Sequence, residues 1–154
     1  MNAVVRVSRC PLYLRPSPQC ELADEALLGW PLSILDRPCP GWYEVKTDYG
    51  YTGYAPAAAV TAGDGNAARW ASLSHQTVLR GICSVRSAPR VQSWELTQLL
   101  RGATVAVHGQ PDGDGWQKVS LPDGREGYTK AGFLGDIPQG SDEAVFRAAV
   151  VRTA

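Results

Sequence analysis

The 154-residue chain carries no surplus of charge: Lys+Arg and Asp+Glu number 15 each. A non-specific nucleic-acid binder needs a cationic surface to displace counterions, so nucleic acid is not an expected partner. Local patches stay open, because 12 of the 15 cations are Arg. No apolar run approaches the roughly 18 residues of a membrane span. The N-terminus, Met1-Asn2-Ala3-Val4-Val5-Arg6-Val7, lacks the basic, apolar and small-residue pattern of a secretory leader. That points to the cytoplasm, with the cell envelope as the alternative if a leader has been trimmed away.

Histidine is scarce: His75 and His108 are the only two. A catalytic triad needs a base beside its nucleophile, and neither His has a Cys near it in sequence. Cys10, Cys20, Cys39 and Cys83 form no C-x-x-C pair, so no metal site is expected. Cys10 and Cys20 flank one loop and are the pair to consider in an oxidising compartment; otherwise the cysteines read as small apolar side chains. Asp112/Asp114 and Asp142/Glu143 read as turn and cap residues, not acid–base pairs. No phosphate-binding glycine loop is present, and no cofactor is expected. This chain alone does not read as an enzyme.

What the chain does have is a repeat. Gly41-Trp42-Tyr43-Glu44-Val45, then Gly50 and Gly53-Tyr54, returns 74 residues later as Gly115-Trp116-Gln117-Lys118-Val119, then Gly124 and Gly127-Tyr128. Leu27-Leu28-Gly29 with Leu32-Ser33-Ile34 matches Leu99-Leu100-Arg101-Gly102 with Val105-Ala106-Val107, the Gly and the strand behind it at an offset of 73. Leu14-Arg15-Pro16-Ser17-Pro18 aligns with Val85-Arg86-Ser87-Ala88-Pro89 at an offset of 71. Two copies of one fold follow, 1–60 and 76–136, joined by a small-residue linker, 61–75, in which Trp70 implies packing.

Within each copy the period is two. Tyr43, Val45 and Thr47 share one strand face, and Trp42, Glu44 and Lys46 the other; Gln117, Val119 and Leu121 oppose Trp116, Lys118 and Ser120. Short alternating runs divided by Gly and Pro turns imply small antiparallel barrels, which avoid exposed edges. The fold class is therefore all-β, two small SH3-like barrels in tandem with separate cores and a C-terminal helix. Glu21 to Leu28 reads as a short helical turn or irregular loop. Residues 137–154 form a tail whose segment 141–152 reads as a helix, capped by Ser141 or Asp142, with Val145, Ala148, Ala149 and Arg152 on one face. Alternation puts Trp42 and Trp116 on the polar faces, beside Tyr54 and Tyr128 of a later strand. That pattern suits a peptide groove or a contact with a neighbouring domain.

Each copy, with Leu-Leu-x-Gly, an alternating strand, Gly-Trp-x-x-Val and Gly-x-x-Gly-Tyr, resembles a bacterial SH3 domain. Phe146 to Ala154 resembles the first helix leading into an NlpC-family cysteine peptidase domain, whose Asp-Cys-Ser-Gly motif is absent here. Together they resemble the N-terminal part of the gamma-D-glutamyl-L-diamino acid endopeptidases. The resemblance implies a non-catalytic region that selects and positions a murein stem peptide for a catalytic peptidase domain in cis. A free-standing adaptor for cell-wall peptide, glycan or Pro-rich peptide is the alternative. The family's site Tyr maps onto Tyr51, for which the second copy has Arg125. Its Glu for the substrate amino group maps onto Ala23, leaving Asp24, Glu25 and Glu21 as neighbouring carboxylates. Trp42, Tyr54, Trp116 and Tyr128 complete the candidate binding residues.

Overall fold

The computed structural model describes residues 1–137 and 146–150. The first copy has seven strands: β1 (Asn2–Val5), β2 (Arg9–Tyr13), β3 (Leu22–Leu27), β4 (Pro31–Asp36), β5 (Trp42–Thr47), β6 (Thr52–Pro56) and β7 (Val60–Ala62). The helix α1 (Asp64–Ala71) follows. The second copy has β8 (His75–Val78), β9 (Ile82–Arg86), β10 (Glu95–Leu100), β11 (Thr104–His108), β12 (Trp116–Ser120), β13 (Glu126–Lys130) and β14 (Leu134–Asp136). Residues 146–150 are helical.

The two antiparallel sheets have one topology. Their orders are β3-β2-β6-β5-β4-β1-β7 and β10-β9-β13-β12-β11-β8-β14, each strand of the first recurring seven places later. A single 3-10 turn precedes the last strand of each, at Ala57–Ala59 and Ala131–Phe133. The expected all-β tandem is therefore the observed fold.

Loop hydrogen bonds repeat as well, and they correct one alignment. Leu14 N–H donates to Glu21 O, and Ser87 N–H to Trp94 O; Cys20 N–H donates to Ser17 O, and Ser93 N–H to Arg90 O. The structural offset there is 73, so Pro16 answers to Pro89, not to Ser87. Proline-rich loops align by side chain in more than one way, whereas the turn's hydrogen bonds admit one register.

Two further expectations change, and the linker, packed through Trp70 as expected, gains a helix. The segment 21–28 is largely strand β3, paired with β2 from Arg9↔Leu27 to Tyr13↔Leu22. Its Ala, Glu and Leu residues favour helix locally, but ladder pairing over a core overrides propensity. The linker holds α1, whose Trp70 is buried and donates Nε1–H to Gly29 O at 3.1 Å. In the tail, Arg147 and Val150 are buried and Ala149 is exposed, so the packed face differs from the expected one. Val145, Arg152 and the caps Ser141 and Asp142, like Glu143, lie outside the described residues.

The cores are not separate either. Buried apolar contacts run from Val5, Leu12, Leu28, Trp30 and Val45 into Val78, Val85, Leu99, Val105 and Val119 without a break. A unit of some 60 residues buries a smaller fraction of its surface alone than a domain of twice that size, and joining two cores offsets that. The joint is made by equivalent turns. Gly29 and Gly102 both have left-handed φ, at +86° and +94°. Thr104 N–H donates to Leu28 O at 2.9 Å, and Trp30 Nε1–H to Gly102 O at 2.8 Å. A Cβ on Gly29 would lie 2.1 Å from Thr104 O, so only glycine admits this approach. Val150 closes the joint against Gly102 and Leu27.

Candidate functional site

The β5–β6 hairpin turns at Thr47-Asp48-Tyr49-Gly50. Gly50 takes φ +97°, and its N–H donates to Thr47 O at 3.1 Å. The Thr47 hydroxyl accepts Tyr51 N–H at 3.0 Å. This turn presents two tyrosines. Tyr51 is 51% exposed, and Tyr49 is half-buried beneath it, ring centroids 5.6 Å apart and edge-on. Tyr49 also meets Trp30 edge-on at 6.1 Å.

Strand β3 brings the carboxylate. Asp24 lies opposite core residue Leu12, so its side chain shares Leu12's face at the barrel rim. Tyr49 O–H donates to Asp24 Oδ2 at 3.0 Å, and Glu25 N–H donates to Oδ1 at 2.7 Å. Burial, then the adjacent Asp24 carboxylate, pushes the Tyr49 hydroxyl well above the usual phenol range, so it stays a proton donor. Glu25 falls on the opposite face, 4.0 Å from Arg9 in an ion pair. Glu21 is exposed in the preceding loop. The ladder shifts register between Leu12 and Tyr13 as Ala23 is passed, which re-aims this end of the strand.

The helical residues 146–150 dock beside this cluster. Arg147 is buried, pairs with Asp48 and lies 6.0 Å over the Trp30 ring. A cavity of about 410 Å³ opens between this helix and β3, with Asp24, Glu25, Ala23, Arg9 and Val150 among its walls.

Of the eight residues singled out in the sequence, the structure brings Asp24 and Tyr51 together through Tyr49, which sequence reasoning missed. Trp42 and Tyr54 lie at the other end of the hairpin. Trp42 is half-buried opposite Pro56 and meets Tyr13 edge-on at 5.7 Å; Tyr54 pairs with Glu44 and Tyr13. In the second copy Trp116 departs from expectation: it is 8% exposed, with Lys130 Nζ 4.5 Å over its ring. Tyr128 lies opposite Arg86 and Lys118.

All four cysteines are free, so the considered Cys10–Cys20 bridge is absent. Burial, then the Glu25 charge, pushes the Cys10 thiol up to about 12, the opposite of an activated nucleophile. His108 Nε2 lies 2.5 Å from Ser120 Oγ, and His75 stacks on Trp70 at 4.8 Å. Asp112 accepts Asp114 and Trp116 N–H groups, the turn role expected of it. Among the described residues, no His/Cys/Asp/Glu cluster is placed to hold a metal ion, and no helix is long and apolar enough to cross a membrane.

Two like-built SH3 barrels, fused through equivalent turns with a helix docked on the first, define the class. Comparison with known proteins agrees. Residues 12–60 match the family described as bacterial dipeptidyl-peptidase Sh3 domain, and residues 81–135 the family described as bacterial SH3 domain. The chain is a tandem of bacterial SH3 domains that resembles the N-terminal part of NlpC-family proteins. It is 28% identical over 158 residues to dipeptidyl-peptidase 6 of Lysinibacillus sphaericus, covering 100% of this chain and 58% of that protein. An NlpC/P60 family protein from Bacillus cereus superposes with a TM-score of 0.70 at 16% identity, covering 92% of this chain and 60% of that one. An NlpC/P60 endopeptidase from Photobacterium damselae subsp. piscicida gives a TM-score of 0.57 at 12% identity, over 95% and 35%. The chain thus spans little more than half the length of the curated relative it matches.

Proposed function

We propose that the chain is the non-catalytic, substrate-selecting region of a murein-peptide cysteine endopeptidase of the gamma-D-glutamyl-L-diamino acid type. Residues 1–60 and 76–136 would be its two domains and 61–75 a folded connection. The Asp24–Tyr49–Tyr51 cluster beside the docked helix is the observation that carries this reading. A free amino group entering a narrow cleft loses hydration, and a carboxylate held by a phenol offsets that loss. Asp24 takes the part that Ala23 cannot, one residue along the strand. Tyr51, exposed over Tyr49, orients the peptide, and a longer peptide is excluded where β3 and the helix close the cleft. The ion pair of Arg147 with Asp48 fixes where the chain departs toward a catalytic domain in cis.

The test uses the longer protein that carries a catalytic domain. L-Ala-γ-D-Glu-L-Lys with a free N-terminus should be cleaved, and its N-acetyl form at least about a hundredfold more slowly, the scale of a lost buried charge pair. Asp24→Asn should raise KM for the free peptide and shrink that ratio. Equal rates on both peptides would overturn the reading.

A further inference from the structure

The loops that join β2 to β3 and β9 to β10 share their turn bonds and differ at their tips. In the first barrel, Tyr13-Leu14-Arg15-Pro16-Ser17-Pro18-Gln19-Cys20-Glu21 carries one Arg and one Glu. In the second, Arg86-Ser87-Ala88-Pro89-Arg90-Val91-Gln92-Ser93-Trp94 carries two Arg and no acid. At the offset of their turn bonds, Val91 stands where the first barrel has Pro18, and Trp94 where it has Glu21. Val91 is 70% exposed and Trp94 83%, the two most exposed large apolar side chains among the described residues.

The loop holds this tip out in water. Ser87 N–H donates to Trp94 O at 2.8 Å, and Trp94 N–H donates to Ser87 Oγ at 3.1 Å. The Ser93 hydroxyl reaches Ala88 O and Arg90 O, and Arg86 Nη1 donates to Ser93 O at 2.9 Å. A braced backbone that leaves an indole and a valine unburied forgoes a large apolar gain, which marks a contact surface. Neither side chain lines the cavities beside α1 and beside β3, so the tip projects and does not enclose a ligand. Arg90 is exposed between Pro89 and Val91. Glu95, next in the chain and the ladder partner of Arg86, accepts the Ser84 hydroxyl and Gln98 Nε2–H. Asp123 of the neighbouring hairpin is joined to Arg125. In a chain without net charge, the tip is a local cationic point.

We propose that the loop 86–94 docks on an anionic lipid surface, with the Trp94 indole and Val91 at the headgroup boundary and Arg90 against the phosphates. An indole suits that boundary, because its ring is apolar while its N–H keeps a polar partner. A guanidinium matches phosphate through its planar fork and gains further from the negative potential of the surface. A pocket in a protein partner needs the indole alone, whereas projecting apolar groups with an acid-free pair of arginines complement a lipid surface. The site lies on the second barrel, so it does not depend on the function proposed for Asp24, Tyr49 and Tyr51.

The probe is sucrose-loaded vesicles of phosphatidylcholine and phosphatidylglycerol at about 7:3, sedimented with the protein at about 0.1 M salt. One such tip binds more weakly than the about 10⁴ M⁻¹ of a single myristoyl chain, so about half of the protein should sediment at about 1 mM accessible lipid. Phosphatidylcholine alone, or about 0.5 M salt, should leave it in solution. Brominated acyl chains should quench Trp94, since Trp30, Trp70 and Trp116 are buried and Trp42 is half-buried. Trp94→Ala and Arg90→Glu should each weaken binding about tenfold or more, while Trp42→Phe leaves it unchanged. Both loop variants keep the turn, whose bonds at positions 90 and 94 use backbone groups. No sedimentation at about 5 mM anionic lipid, or undiminished binding by Trp94→Ala, would overturn the proposal. So would Trp94 emission that the brominated chains fail to quench, which would assign the tip to a protein pocket instead.

Discussion

The two barrels share every strand, yet their side chains divide labour. At the hairpin turn the first barrel has Tyr49 and Tyr51 over Asp24. The second has Asp123 and Arg125, joined to each other at 2.9 Å, with Arg125 also bonded to Leu96 O. Around the repeated tryptophan the first has Pro56 and Glu44 where the second has Lys130 and Lys118, which are tied to Asp114 O and Glu126. Both contrasts run the same way: the first barrel exposes aromatic and acidic side chains where the second joins its charges to groups of its own. Backbone duplication supplies two frames, and under the proposed function the side chains of the first carry the selection.

Several substitutions break or sharpen this contrast. Gly29→Ala should have the largest effect, because its Cβ meets Thr104 O in the joint and its φ is left-handed. A loss of about 2–4 kcal/mol in urea unfolding is expected, against about 1 kcal/mol for Gly124→Ala, which has the same sign of φ but open space. A similar cost at both positions would mean that the two barrels do not depend on their joint. Trp30→Phe removes the indole bond to Gly102 O and should cost about 1–3 kcal/mol, since a buried carbonyl loses its donor. The second barrel's equivalent residue is Ala103, so the contact is one-sided. Lys130→Ala should cost about 0.5–1 kcal/mol and expose Trp116 to a fluorescence quencher, making it resemble Trp42.

The pH dependence separates the equivalent cysteines. Cys10 is raised from 9.0 to about 12. A raised folded pKa means that the neutral thiol is the stable form in the fold. Its contribution is complete below pH 9 and is lost as pH climbs from 9 through 12, because the unfolded chain ionises first. Burial raises Cys83 too, but the polar Thr129 hydroxyl opposes the shift. Melting temperature should therefore fall above pH 9, and the fall should flatten more in Cys10→Ala than in Cys83→Ala.

The repeated Gly-Trp-x-x-Val and Gly-x-x-Gly-Tyr segments made the fold readable, because period-two alternation and turn glycines are local signals. Strand β3 was not readable: Glu21-Leu22-Ala23-Asp24-Glu25-Ala26-Leu27-Leu28 favours helix until β2 pairs with it. Helix α1 was hidden because one large apolar residue, Trp70, in two turns leaves no clear 3.6-residue period. The site was half legible. Tyr51 and the carboxylates at 21–25 stood out, but alternation had to be seen in three dimensions to separate Asp24 from Glu25. Tyr49 lies in a turn 25 residues from the carboxylate it holds. Trp116 is covered by Lys130, which takes the place of Pro56 in the second copy.

The division between the barrels is tested most directly by titrating L-Ala-γ-D-Glu-L-Lys into the protein and following assigned NMR signals of both hairpin turns. The account predicts saturable shifts at Asp24, Tyr49 and Tyr51, abolished by Asp24→Asn, and none at Thr97, Asp123 or Arg125. Shifts shared by the two turns, or confined to the second, would contradict it.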